Sequence, residues 1–215
     1  MSHRVSRSPE REDGSVQLAK AALLSPSKID DEEAALPTMR RELDKSLRED
    51  LPEFKPLKGF RRFLNNDSFE TMVMVTNQPP EPRRTKGGPR EYLLYFNVTD
   101  HSTAPLHVFE VQIYHKNKAR LPIVTPGDAI LLRYFTVVAL KDKGFGLRSN
   151  EESSWAVFEA GRDLAQIRGP PVEISDTEHS WGRRLKSWYG MLDDTAKAKL
   201  TGANQRMAAA TKAQS

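Results

Sequence analysis

The chain has 215 residues, a net charge of +4, 38% hydrophobic residues and no cysteine. That length allows one domain with extensions or two small ones, and an apolar content below the usual ~45–50% points to a single core with polar flanks. Disulfides and cysteine-based zinc sites are excluded, no apolar run approaches the ~18 residues of a membrane span, and no signal-type segment opens the chain.

The charge is unevenly placed. Residues 1–54 carry 9 Lys/Arg against 12 Asp/Glu, residues 55–148 carry 15 against 8, and residues 149–215 carry 9 against 9. The basic excess therefore falls on the β-rich middle, as for a polyanion partner, although lysines kept for solubility give the same sign.

Residues 1–35 are rich in Ser, Arg, Glu and Pro and read as disordered. Ser6-Arg-Ser-Pro9 and Ser25-Pro-Ser27 fit either phosphorylation sites or a solvated tail. Leu36, Met39, Leu43 and Leu47 recur at helical spacing, with Pro37 in a first turn and Pro52 as a stop. The whole stretch 1–53 is an N-terminal extension, disordered or partly helical.

A barrel-like region is expected over 54–161. Phe69 to Thr76 is the first strand, centred on Met72-Val-Met-Val75. Residues 77–90 follow, with four Pro, two Gly and four basic residues, which suit a long cationic loop and not a central strand. Glu91 to Thr99 is the second strand; alternation puts Tyr92, Leu94, Phe96 and Val98 on the core face and Glu91, Leu93, Tyr95 and Asn97 on the other. In the third, His107 to His115, Phe109, Val111 and Ile113 face inward and Glu110, Gln112 and Tyr114 outward. Residues 115–126 connect to the fourth strand, which is long and apolar to Leu140, as a strand buried on both sides or coiled round a barrel corner would be. Lys141 to Gly146 is a hairpin turn. The fifth strand starts near Phe145 or Leu147, is interrupted at Ser149–Ser153 and closes with Trp155-Ala-Val-Phe158.

Residues 162–201 read as a linker and a helix packed on the barrel. Asp176 is the expected N-cap, and Trp181, Leu185, Trp188 and Leu192 form an apolar stripe. Residues 202–215 read as a disordered tail.

This element order is that of an all-β, five-stranded OB-fold barrel with a C-terminal α-helix, a fold whose second and third strands and one–two and four–five loops often hold oligonucleotides. Architecture alone does not fix function. Residues go further. Lys86-Gly-Gly-Pro-Arg-Glu-Tyr92, Val98-Thr-Asp100, Val111-Gln-Ile-Tyr114, Leu121-Pro122, Pro126-Gly-Asp128 and Ser154-Trp-Ala-Val-Phe158 occur in an order and spacing that resembles the telomeric single-stranded-DNA-binding OB-fold family. The resemblance is to the protection-of-telomeres and telomere end-binding type and to the related domain in the large subunit of CST-type capping complexes. It spans about Pro56 to Gly161.

The resemblance implies a base-stacking role for Tyr114, base-edge reading by Glu91 and strand contact by Lys141. The aromatic that ends the family's fourth strand is Leu140 here, and its aromatic–basic pair late in strand one falls near Thr76 and Gln78. A lost stacking platform costs about 1–3 kcal/mol per base, unless Phe145 or Tyr95 replaces it. Physically, single strands need cations along a groove and flat aromatics within it. Arg83, Arg84, Lys86 and Arg90 on one loop, with Lys141 and Lys143 on the other, would flank Tyr95, Asn97, Gln112 and Tyr114. The competing reading is a solvated loop, with the tyrosines packed on the helix bearing Trp181 and Trp188.

Catalysis finds no support: His3, His101, His107, His115 and His179 lack metal-ligand spacing, nucleophile and Walker motifs are missing, and Lys143-Gly-Phe-Gly146 reads as a turn. No cofactor, membrane or small-molecule substrate is expected. The function implied is capping or protection of chromosome ends, in the nucleus at the telomeric region, by binding G-rich single-stranded telomeric DNA beside other capping proteins. The alternative is an OB-fold that serves protein–protein contact within a capping complex and binds DNA weakly or not at all.

Overall fold

The computed structural model describes residues 40–43, 45–47, 54–65, 68–86, 91–162 and 164–212. The Ser-Pro stretches, the extension up to residue 39 and Arg90 lie outside these. Seven strands make one sheet: β1 (Phe69–Val75), β2 (Arg83–Arg84), β3 (Tyr92–Thr99), β4 (Phe109–His115), β5 (Ala129–Leu140), β6 (Gly144–Arg148) and β7 (Ser154–Phe158). Neighbours run β1-β3-β4-β6-β5, and β5 pairs back with β1. Five strands thus close into a ring, which leaves no open edge around the barrel. Only the β4–β6 contact is parallel among these pairings.

The apolar runs of β1 and β5 follow from burial on both faces. Val73, Val75, Ile130 and Leu132 point into the barrel beside Phe96, Val111, Ile113 and Phe135. Met72, Met74, Ala129 and Leu131 point the other way, into a second core shared with the C-terminal helices. β5 also turns the barrel corner. Up to Arg133 it pairs with β7, and from Thr136 it pairs with β6. The change falls at Tyr134, whose φ of 57° is costly for a bulky side chain. Its carbonyl accepts from Asn150 Nδ2 at 2.9 Å and Ser153 Oγ at 2.7 Å, which holds the bend.

One expectation about this region holds and another changes. The interruption expected at Ser149–Ser153 is present and divides the fifth strand into β6 and β7, because Asn150 and Ser153 close a turn on each other and on Tyr134. The loop after β1 is not wholly irregular: past its prolines, Arg83 and Arg84 pair with Leu93 and Tyr92 as the short strand β2. The connector after β4 does contain a helical turn, a 3-10 helix over Lys118–Arg120.

Helix α1 (Asp176–Gly190) is capped by Ser175, not Asp176. The Ser175 hydroxyl takes a free backbone N–H, and Glu178, three residues on, reaches back to the Ser175 N–H at 2.8 Å, closing a capping box. Trp181, Leu185, Trp188 and Leu192 are all buried in the second core, and each large apolar side chain so buried contributes about 1.5–3 kcal/mol. Gly182 lets the helix approach, since a Cβ there would lie 3.2 Å from the Phe158 ring. Leu43 and Leu47, in the helical residues 40–43 and 45–47, join the same core.

The tail expected over 202–215 is helical through Lys212. Helix α2 (Asp194–Lys212) buries Ala196, Leu200 and Ala203. Its stripe is mostly alanine, good helix former but weak hydrophobic signal. No helix among the described residues is long and apolar enough to cross a membrane.

Candidate nucleic-acid interface

Strand register fixes what the outer barrel face presents. Leu93 opposes Tyr114, Tyr95 opposes Gln112 and Asn97 opposes Glu110. On the far side of β4, Gln112 lies beside Arg148 and Glu110 beside Gly146. The face therefore reads as three rows, the middle one running Tyr95–Gln112–Arg148. Cations accompany its aromatics. The Arg83 guanidinium stands 5.7 Å from the Tyr95 ring and that of Arg148 stands 6.0 Å from the Tyr114 ring. Such contacts hold a ring's face toward a charge without consuming the charge's hydrogen bonds.

The floor is tied by a chain of polar bonds. Lys143 Nζ donates to Glu110 Oε2 at 2.6 Å, Gln112 Nε2 donates to Glu110 Oε1 at 2.6 Å, and Arg148 Nε donates to Gln112 Oε1 at 3.1 Å. The Lys143 and Glu110 side chains are only 8% and 3% exposed. Their charges neutralise each other inside the floor, so neither stands free toward solvent.

One side of this face is bounded by β2, which sets Arg83 opposite Leu93. The other side is bounded by α2. Asn97 Nδ2 and Thr76 Oγ1 both donate to Asn204 Oδ1, at 2.9 and 3.0 Å, and Asn204 Nδ2 donates to the Thr76 carbonyl at 3.0 Å. Further along, Ala203, Arg206 and Met207 line a small hollow with Asp142 and Lys143 of the β5–β6 turn. A cleft of about 630 Å3 opens at the opposite end of the face, lined by Glu91, Tyr114, Arg148, Asn150 and Trp155 among others.

The structure thus brings together Tyr95, Gln112, Tyr114, Glu91 and Arg83 in or beside one groove. Lys86 and Lys141 are exposed on the flanking loops. Arg84 points to the other face, 5.3 Å over Tyr92, because β2 alternates as any strand does. Thr76 and Asn97 are engaged by Asn204 under the α2 wall. Phe145 is no groove platform: it packs on the barrel core, edge-on to Phe60 at 6.5 Å, since Gly144, Gly146 and Arg148 take the outer positions of β6. That same alternation marks Arg148 as an outer-face residue, a signal present in the sequence but overlooked. Asn204 carried no comparable signal.

A closed five-strand barrel with this connectivity and an aromatic–cation groove across its middle strands is an OB-fold of the oligonucleotide-binding class. The family model described as telomeric single stranded DNA binding POT1/CDC13 matches residues 48–198, and the chain belongs to that family. Among solved structures, fission yeast Pot1 with single-stranded DNA is 14% identical with a TM-score of 0.58, covering 70% of this chain and 53% of that one. The likeness is one of fold, and this chain spans about half the length of that relative. A second Pot1–single-stranded DNA complex is 13% identical with a TM-score of 0.49, covering 63% and 98% of the two chains. A replication protein A heterotrimer bound to single-stranded DNA is 14% identical with a TM-score of 0.39, covering 57% and 27%. Curated protein sequences give no match.

Proposed function

We propose that this chain binds single-stranded, G-rich telomeric DNA across the outer face of its barrel and caps chromosome ends by sequestering the bases. It acts in the nucleus, at the telomeric region and beside other capping proteins, as a binding protein without a catalytic step. The observation that carries this reading is the pairing of half-buried aromatic rings with cations along one groove, Tyr95 with Arg83 and Tyr114 with Arg148, in a member of the POT1/CDC13 family.

Bases stack on Tyr95 and Tyr114, while Glu91 and Gln112 offer hydrogen-bonding groups to base edges. Phosphates follow the cationic rim made by Arg83, Lys86 and Lys141, with Arg84 behind it. Nothing among the described residues favours a protein-only interface.

The test is fluorescence anisotropy with a G-rich telomeric single strand, its C-rich complement and the duplex, at two salt concentrations. Selective binding of the G strand that weakens with salt is expected, with Tyr114→Ala losing about 1–3 kcal/mol. A folded domain, shown by circular dichroism, that binds none of the three would overturn the reading.

A further inference from the structure

We propose that Arg148 selects guanine, its guanidinium fork taking the O6 and N7 atoms of one base stacked on Tyr114. The inference rests on the single-strand reading above and names what one position of that groove recognises.

Arg148 ends β6 on the outer face, beside Gln112. Its Nε is fixed by Gln112 Oε1, Gln112 is fixed in turn by Glu110, and Glu110 is held by Lys143. One edge of the guanidinium is therefore oriented by three linked bonds. Among the described residues, none accepts from Nη1 or Nη2, and the side chain is exposed. What remains is a planar pair of parallel donors, set in place before any ligand arrives. It stands 6.0 Å from the Tyr114 ring and shares a cleft of about 630 Å3 with it.

Two side-by-side acceptors satisfy such a fork. On the Hoogsteen edge guanine offers O6 and N7, whereas adenine sets a donor beside its N7. A phosphate also offers two oxygens. The surroundings decide between them. Arg148 lies on the floor, against a stacking ring, where bases and not the backbone would be seated. Apart from Arg148 itself, the same cleft is lined by two carboxylates, Glu91 and Glu151, against one cation, Lys116, a negative balance that disfavours a phosphate there.

The experiment uses the full chain and a G-rich telomeric single strand in which each guanine is replaced in turn by 7-deazaguanine, which lacks N7. For the wild type, one position is expected to cost about tenfold in affinity. In Arg148→Met, which removes both the fork and the charge, that position becomes indifferent to the replacement while the salt dependence is unchanged, since the fork meets a base and not a phosphate. Thermal melting checks that the exposed substitution leaves the fold intact. Tight wild-type binding with no sensitive position, or a sensitive position that persists in Arg148→Met, overturns the assignment and leaves the single-strand reading standing. A loss in Arg148→Met that appears only as a shallower salt slope assigns the fork to phosphate and overturns it as well. Absence of wild-type binding overturns both.

Discussion

Lys143 looks, in the sequence, like a phosphate contact on a groove loop. In the structure it is the buried partner of Glu110, and replacing it distinguishes the two roles. With both side chains nearly closed off from solvent, Lys143→Met leaves a carboxylate buried without its counter-charge. Breaking a buried pair from one side costs about 3–5 kcal/mol. Gln112 still donates to Glu110, so the lower end, about 3 kcal/mol, is expected. That is a large share of a stability of about 5–15 kcal/mol, and with a urea m-value of about 2 kcal/mol/M it moves the midpoint by about 1.5 M.

Adding Glu110→Gln removes the orphaned charge and should restore most of the loss. Urea unfolding of the two single variants and the double variant measures this directly. The companion measurement is the salt dependence of DNA affinity. Each phosphate contact on a single strand contributes about −0.7 to the slope of log K against log salt. Because Lys143 is already neutralised, the slope in Lys143→Met should match that of the wild type. A variant that unfolds at the wild-type midpoint but whose slope is shallower by about 0.7 would refute the reasoning and return Lys143 to the phosphate path.

Phe145→Ala should cost about 2–3 kcal/mol in urea, as a partly buried core phenylalanine, and an unchanged midpoint would put the ring back in the groove. Gly146→Ala sets a Cβ 2.5 Å from the Glu110 carbonyl oxygen and 2.5 Å from Leu140 Cδ1. Because the carbonyl is backbone, the β4–β6 pair must part, at about 1–3 kcal/mol, and faster amide exchange in β6 would report it. Burial pushes the Glu178 carboxyl up, but the Ser175 hydroxyl, the Ser175 and Glu178 backbone N–H groups and Arg133 outweigh it and hold the group below its ordinary value. A carboxyl lowered in the folded state contributes stability above its unfolded value of about 4.3, and that contribution disappears as pH falls through the folded value. Urea midpoints measured downward from pH 5 should therefore fall less steeply in Glu178→Gln than in the wild type; equal slopes would contradict the assignment.

The strands were legible where burial and punctuation agreed. Met72-Val-Met-Val75 and the run from Ala129 carry apolar residues on both faces because each face has a core to meet, and Gly, Pro and Asp mark their ends. The outer face of β3 and β4 followed from alternation alone. Phe145 was misplaced because it was read within the hairpin turn, whereas β6 begins at Gly144 and alternation then turns Phe145, like Leu147, toward the core. The helix cap missed by one for a related reason. Ser175 and Asp176 are both good caps, and only the Glu178 partner three residues on selects the first. Helix α2 was hidden because alanines bury little surface each, and the amide of Asn204 gains its meaning only from Thr76 and Asn97, more than a hundred residues earlier.

The unequal support of the strands has a consequence for how the groove moves. Ala129 to Arg133 of β5 is bonded to β7 on one side, and the same stretch meets β1 on the other. Its amides should exchange with solvent only when the whole barrel opens. β2 is two residues bonded to β3 on one side. It should open locally, orders of magnitude more often, without disturbing the ring. Under the proposed function, strands of differing sequence would be accommodated by reshaping the Arg83–Arg84 rim, while the spacing of Tyr95, Gln112 and Arg148 behind it stays constant.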